Sequence, residues 1–124
     1  MRKTWPTMAT LGAAVSISLC VSAGAKPAAL PVTGDRLEAV QSSVRGRLKD
    51  PESARFELVF SIQKGSGEFV CGRVNAKNGF GGYNGATPFS GLLLKRGAAF
   101  SFENVSIENP NEIRDMCLAL GIYI

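Results

Sequence analysis

With no histidine among its 124 residues, the chain cannot build a Ser-His-Asp or Cys-His site or a histidine-ligated metal centre. Half of its formal charge of +4 comes from Arg2 and Lys3, and no long basic run follows, so composition gives no nucleic-acid footprint. The length fits one small domain, which buries only part of its surface and is marginal without a crosslink.

Residues 1–25 read as a secretory signal peptide. Arg2 and Lys3 form a short positive head, residues 8–21 are apolar apart from Thr, Gly and Ser, and Ala23-Gly24-Ala25 offers a small-x-small cleavage site. The apolar run is too short and too lightly flanked for a membrane span. Cleavage after Ala25 removes Cys20 and leaves Cys71 and Cys117 in an exported chain. An even pair of cysteines in an oxidising compartment reads as a disulfide. A lipid-acceptor cysteine wants a small residue before it, and Leu19 precedes Cys20, so lipidation ranks below soluble export to the periplasm or medium.

Residues 26–34, with Pro27 and Pro31, read as a flexible leader, and residues 35–124 as one domain. The first helix is expected over residues 35–49. Leu37, Val40, Val44 and Leu48 form its apolar stripe, Asp35 and Glu38 offer a capping box, and Asp50-Pro51 stops it. Arg45, Arg47 and Lys49 would complement the dipole at its C-terminus.

Residues 55–63 alternate as a half-buried strand with Phe56, Leu58, Phe60 and Ile62 on one face, Val59 being the exception. Lys64-Gly65-Ser66-Gly67 turns into a second strand over residues 68–75. A third strand is expected at 89–95 and a fourth, carrying Phe100 and Phe102, after the Arg96-Gly97 turn. Asn109-Pro110 opens a last helix, with Ile113, Met116, Cys117 and Leu120 as its apolar face and Gly121 beyond its end.

The pieces predict an α+β fold. A small antiparallel sheet of about four strands carries an N-terminal and a C-terminal helix on one face, the first helix packing over Phe56, Leu58, Phe60 and Ile62. Cys117 points at the sheet and Cys71 is in phase with Phe69, so one bridge would clip the last helix to the second strand. Closing a loop of that length contributes about 4 kcal/mol in the chain-entropy model. A redox-active pair would want a C-x-x-C spacing, which is absent.

Two segments carry a resemblance. They are Leu48-Lys49-Asp50-Pro51-Glu52-Ser53-Ala54-Arg55-Phe56 and the run from Val70-Cys71-Gly72 through Asn75-Ala76-Lys77-Asn78 to Gly81-Gly82-Tyr83-Asn84-Gly85. Together they resemble a family of small uncharacterised bacterial exported proteins and lipoproteins with LKDPxSAxF and VCGxVNAKNxxGGYxG motifs. The resemblance covers under half of the exported chain. It implies a bacterial envelope location and no particular activity.

Residues 75–85 are rich in glycine and asparagine, which tolerate positive φ, and carry Phe80 and Tyr83 between the turn signals Asn78-Gly79 and Asn84-Gly85. One reading is a compact loop in which amides satisfy the backbone and both rings cap the edge of the core. The other is a recognition loop using Asn75, Asn78, Phe80, Tyr83 and Asn84. A P-loop is excluded, because no G-x-x-x-x-G-K-[ST] occurs and the glycines do not open a helix. The leading expectation is a non-catalytic envelope module that uses this loop to bind a partner protein or a cell-wall component. A special form of it is an inhibitor presenting a rigid loop to an extracellular enzyme. The competing class is a carboxylate-dependent glycan-acting enzyme, but Glu57, Glu68, Glu103, Glu108 and Asp115 are scattered in sequence. No catalytic, metal-ligating or cofactor-binding motif is found.

Overall fold

The computed structural model describes residues 2–4, 12–16 and 28–124. Cys20 and the cleavage site at Ala25 lie outside the described residues. Among the described residues no helix is long and apolar enough to cross a membrane.

Five strands form one antiparallel meander: β1 (Leu30–Pro31), β2 (Arg55–Lys64), β3 (Gly67–Asn75), β4 (Thr87–Arg96) and β5 (Ala99–Ser106), in that spatial order. Helix α1 (Gly34–Arg45) precedes β2 and helix α2 (Pro110–Ala119) follows β5. The extra strand, β1, comes from the segment expected to be a loose leader. Leu30 and Pro31 pair with Ser61 and Phe60 of β2, and the next residue, Val32, is 4% exposed and donates its N–H to the Val59 carbonyl at 3.0 Å. Described residues 28–34 are therefore tied to the sheet edge.

The helices cover opposite faces of the sheet, not one. Val40 and Val44 of α1 join Val70, Val74, Phe89, Leu93 and Phe102 in the larger core. Ile113 and Cys117 of α2 join Ile62, Cys71 and Ile122 in a second core. Val70 and Cys71 are neighbours in β3, so the alternation of a strand sends them to different cores. The disulfide joins Cys71 to Cys117 with a Cα–Cα separation of 6.2 Å, at a sequence separation of 46. It clips α2 to the middle of the sheet.

The face assignment of β2 needs correcting. Glu57 pairs with Arg73 and Phe60 with Cys71, leaving Leu58 and Val59 opposite Gly72 alone. This is a β-bulge, and the extra residue reverses the phase of everything beyond it. Phe56 and Val59 pack on the α1 core, whereas Phe60 and Ile62 pack on the α2 core. Leu58 absorbs the irregularity with φ 51° and is 45% exposed. The stripe Phe56, Leu58, Phe60 and Ile62 is thus not a single face.

Two glycines explain how the large rings fit. A Cβ on Gly72 would lie 2.6 Å from Cζ of Phe89, and one on Gly91 would lie 2.4 Å from Cζ of Phe102. Both rings occupy space that a Cβ would fill, and Phe89 meets Phe56 and Phe102 edge-on at centroid distances of 6.0 and 6.3 Å.

Helix α1 begins at Gly34 with Thr33 as its N-cap, without the expected Asp35 capping box, and it ends at Arg45. Arg47 and Leu48 then continue in tighter turns, donating to the carbonyls of Val44 and Arg45 at 2.9 and 3.1 Å. Leu48 still reaches the core, but Arg47 and Lys49 leave the helix. The Arg45 guanidinium instead lies over the Phe56 ring at 5.3 Å. At the other end of α1, Arg36 forms a two-pronged pair with Glu68, whose carboxylate also accepts from Ser61 Oγ at 3.0 Å. This network locks α1 to the β2–β3 hairpin.

Helix α2 starts as expected, with Asn109 as N-cap and Pro110 in its first turn, although the Asn109 side chain makes no capping hydrogen bond. Its end is a Schellman motif. Gly121 adopts φ 84°, its N–H donates to the Leu118 carbonyl at 3.0 Å, and Ile122 N–H donates to the Cys117 carbonyl at 2.9 Å. The reversal buries Ile122 beside the disulfide. Met116, expected on the apolar face, is largely exposed.

Candidate functional site

A meander places alternate connections at the same end of the sheet. The segment entering β2, the β3–β4 connection at residues 76–86 and the segment entering α2 all meet at one end; the β2–β3 and β4–β5 turns lie at the other. The two stretches that carry the family resemblance are therefore neighbours, and they are hydrogen-bonded to each other.

The β3–β4 connection is a second, smaller hairpin. Lys77 pairs with Tyr83 in an isolated antiparallel bridge. Within it Asn78 organises the tip. Its N–H donates to the Gly82 carbonyl at 2.9 Å and its own carbonyl accepts from Gly81 at 3.0 Å. Its side-chain Oδ1 accepts from the N–H groups of Phe80 and Gly82 at 2.9 and 3.2 Å. Gly81 has φ 80°, which a side chain would resist. Asn78 thus satisfies three backbone N–H groups of the tip, two through its side chain and one through its carbonyl.

The two rings have opposite fates. Phe80 is 99% exposed at the tip and caps nothing. Tyr83 is half-buried. Its hydroxyl donates to the Ser53 carbonyl at 2.9 Å, and the Arg55 guanidinium lies 4.3 Å above its ring. Ser53 Oγ accepts from the Lys77 N–H at 2.9 Å and donates to the Asp50 carbonyl at 2.8 Å. Tyr83 and Ser53 therefore bolt the loop to the short 3-10 turn at Pro51–Ser53. The compact-loop expectation describes Asn78 and Tyr83, and it fails for Phe80.

The remaining loop candidates are placed as follows. Asn75 ends β3, and its Oδ1 is buried with no hydrogen-bond partner among the described residues. Asn84 is exposed and lines a cleft of about 610 Å³ between the loop, the turns after α1 and the start of α2. Lys77, Arg47, Lys49 and Arg114 line the same cleft, and none of its lining residues is acidic. Sequence reasoning missed Ser53, Arg55 and Arg114 as site residues. Arg47 and Lys49 were visible as a basic cluster, but a helix carried through to residue 49 assigned them to its C-terminal dipole.

The scattered carboxylates stay scattered. Glu57, Glu68 and Glu103 are paired with Arg73, Arg36 and Arg96 respectively. Asp35 and Glu38 line a second cleft of about 640 Å³ between α1 and the start of β5, both exposed and on one helix. Among the described residues no three His, Cys, Asp or Glu side chains come together to hold a metal ion. The chain matches no family model, no curated protein and no solved structure.

Proposed function

We propose that the protein is an exported, non-catalytic binding module of the cell envelope, and that the loop at residues 75–85 is its contact surface toward a partner protein or a cell-wall component. One observation carries this reading: Phe80 holds its whole ring in solvent at the tip of a loop whose backbone Asn78 and Tyr83 have already fixed. A large apolar ring gains nothing from that position in folding. It suits a hot-spot anchor, and a pre-ordered loop loses little entropy on binding. The crosslink between Cys71 and Cys117 supports an oxidising compartment, as does the apolar leader read in residues 1–25.

Retention of the purified protein on isolated cell-wall material and on immobilised envelope proteins tests the reading directly. Phe80→Ala should abolish retention without changing the melting temperature. Equal retention of both proteins would remove the loop from the function. Export is tested separately by intact mass. The secreted form should begin at Lys26, whereas a lipid-modified form beginning at Cys20 would reverse the order given to the two export routes.

A further inference from the structure

Three cations of the fold are paired with acids, Arg36 with Glu68, Arg73 with Glu57 and Arg96 with Glu103, whereas Arg55, Lys64 and Lys95 stand singly on the sheet without an acidic partner among the described residues. The cleft beside the loop differs in gathering four such cations along one lining. Arg47 and Lys49 reach it from the turns after α1, Lys77 from the β3–β4 loop and Arg114 from α2. None of the four pairs with a described acidic side chain, and none of the residues lining the cleft is acidic. Three separate pieces of chain thus bring like charges to the lining of one cleft of about 610 Å³, the Lys77 ammonium resting 5.9 Å from the Tyr83 ring centroid. Unscreened, that arrangement costs stability through repulsion, and an anion seated in the cleft would relieve it.

We propose that this cleft is a binding site for a compact ligand bearing several phosphate charges, either free in solution or displayed as lipid headgroups. Arg47 and Arg114 supply planar forks that can grip phosphate oxygens bidentately, while Lys49 and Lys77 act as point charges. Four cations around one cleft call for several negative charges in a small volume. Linked phosphates provide these and a single carboxylate does not. Asn78 and Asn84 line the rim with amides. The first turn of α2 also opens on the cleft through Pro110 and Asn111, and its field adds to the side-chain charges. The site is a cleft of side-chain cations, not a glycine cradle. It borrows residues of the loop but rests on none of the reasoning about Phe80, so the two proposals can fail separately.

The probe is tripolyphosphate, titrated into the purified protein at about 0.1 M salt, where the screening length is about 10 Å, and followed by calorimetry and amide chemical shifts. Saturable binding is expected, with shifts at Lys77, Asn78, Asn84, Gly85 and Asn111. Arg47→Ala with Arg114→Ala should weaken it by more than about tenfold, because each variant removes hydrogen bonds to a charged group. Both side chains are exposed, so the melting temperature should hold. Lys64→Ala with Lys95→Ala removes the same net charge at the opposite end of the sheet and should leave affinity within about twofold, as expected for screened distant charges. Phe80→Ala should leave it unchanged. Vesicles of phosphatidylcholine with and without phosphatidylglycerol form the second arm. Sedimentation with the anionic vesicles alone, reversed by tripolyphosphate, assigns the headgroup as the source. Binding of the free anion without sedimentation assigns a soluble one. No saturable binding of either probe, equal losses in the two double variants, a matching loss in Phe80→Ala, or equal affinity for citrate would each overturn the proposal.

Discussion

The Tyr83 hydroxyl donates to the main-chain carbonyl of Ser53 at 2.9 Å, across 30 residues of chain. This contact decides what the loop is: a fixed platform from which the Phe80 ring projects. Tyr83→Phe removes the hydrogen bond and should cost about 0.5–1.5 kcal/mol in urea unfolding. Phe80→Ala removes only exposed surface and should stay within about 0.5 kcal/mol. Equal losses in the two variants would mean that the Phe80 ring is packed.

Asn78 should control the tip without controlling the fold. Its Oδ1 holds the N–H groups of Phe80 and Gly82, and both lie in exposed chain. Asn78→Ala should accelerate hydrogen exchange at those two amides and leave the amides of β3 and β4 protected. Exchange that rises across β3 as well would show that the tip and the sheet open together.

The disulfide should matter more than any single contact. Its sequence separation of 46 corresponds to about 4 kcal/mol of chain entropy, comparable to the whole stability of a small domain. Reduction, or Cys71→Ala with Cys117→Ala, should lower the urea midpoint steeply. The second core is small, so α2 amides should lose protection first. A loss of unfolding free energy of less than about 1 kcal/mol would mean that the reduced chain is already constrained.

The glycines beneath the rings make a sharper test of packing. Ala at position 91 would place its Cβ 2.4 Å from Phe102 and 2.9 Å from the Glu103 carbonyl, whereas Ala at 72 meets only side chains, those of Phe89 and Val59. A ring can tilt and a paired strand cannot. Both variants should destabilise, by about 1–3 kcal/mol, with Gly91→Ala the worse. The reverse order would place the rigid contact at Phe89.

What was legible in the chain depended on the range of the interaction. The Cys71–Cys117 pairing could be read because strand and helix periods fix the direction of each side chain locally. The Schellman end of α2 could be read from Gly121 for the same reason. The division of β2 between the two faces could not, because it depends on one inserted residue at the Glu57–Phe60 register shift. Val59 was its only trace, an apolar residue out of phase. The cleft was hidden for a different cause. Arg47 and Arg114 meet only because a meander returns its connections to the same end of the sheet.

Leu58 marks that inserted residue and gives the last test. It is one of two non-glycine residues with positive φ among those described, at 51°, and the other is Asn104, a type that tolerates the region. A leucine there is strained by about 1–2 kcal/mol, and its side chain, 45% exposed, recovers little by burial. Glycine removes the strain but adds freedom to the unfolded chain. Leu58→Gly should therefore be neutral or stabilising by up to about 1 kcal/mol, against the usual rule that glycine weakens a strand. Phe60→Ala, two residues on and facing the α2 core, should destabilise, and its loss should fall on α2 rather than α1 in hydrogen exchange. If Leu58→Gly destabilises as an ordinary strand glycine would, Leu58 is not in a bulge. The separation of Phe56 and Phe60 onto opposite faces would then fall with it.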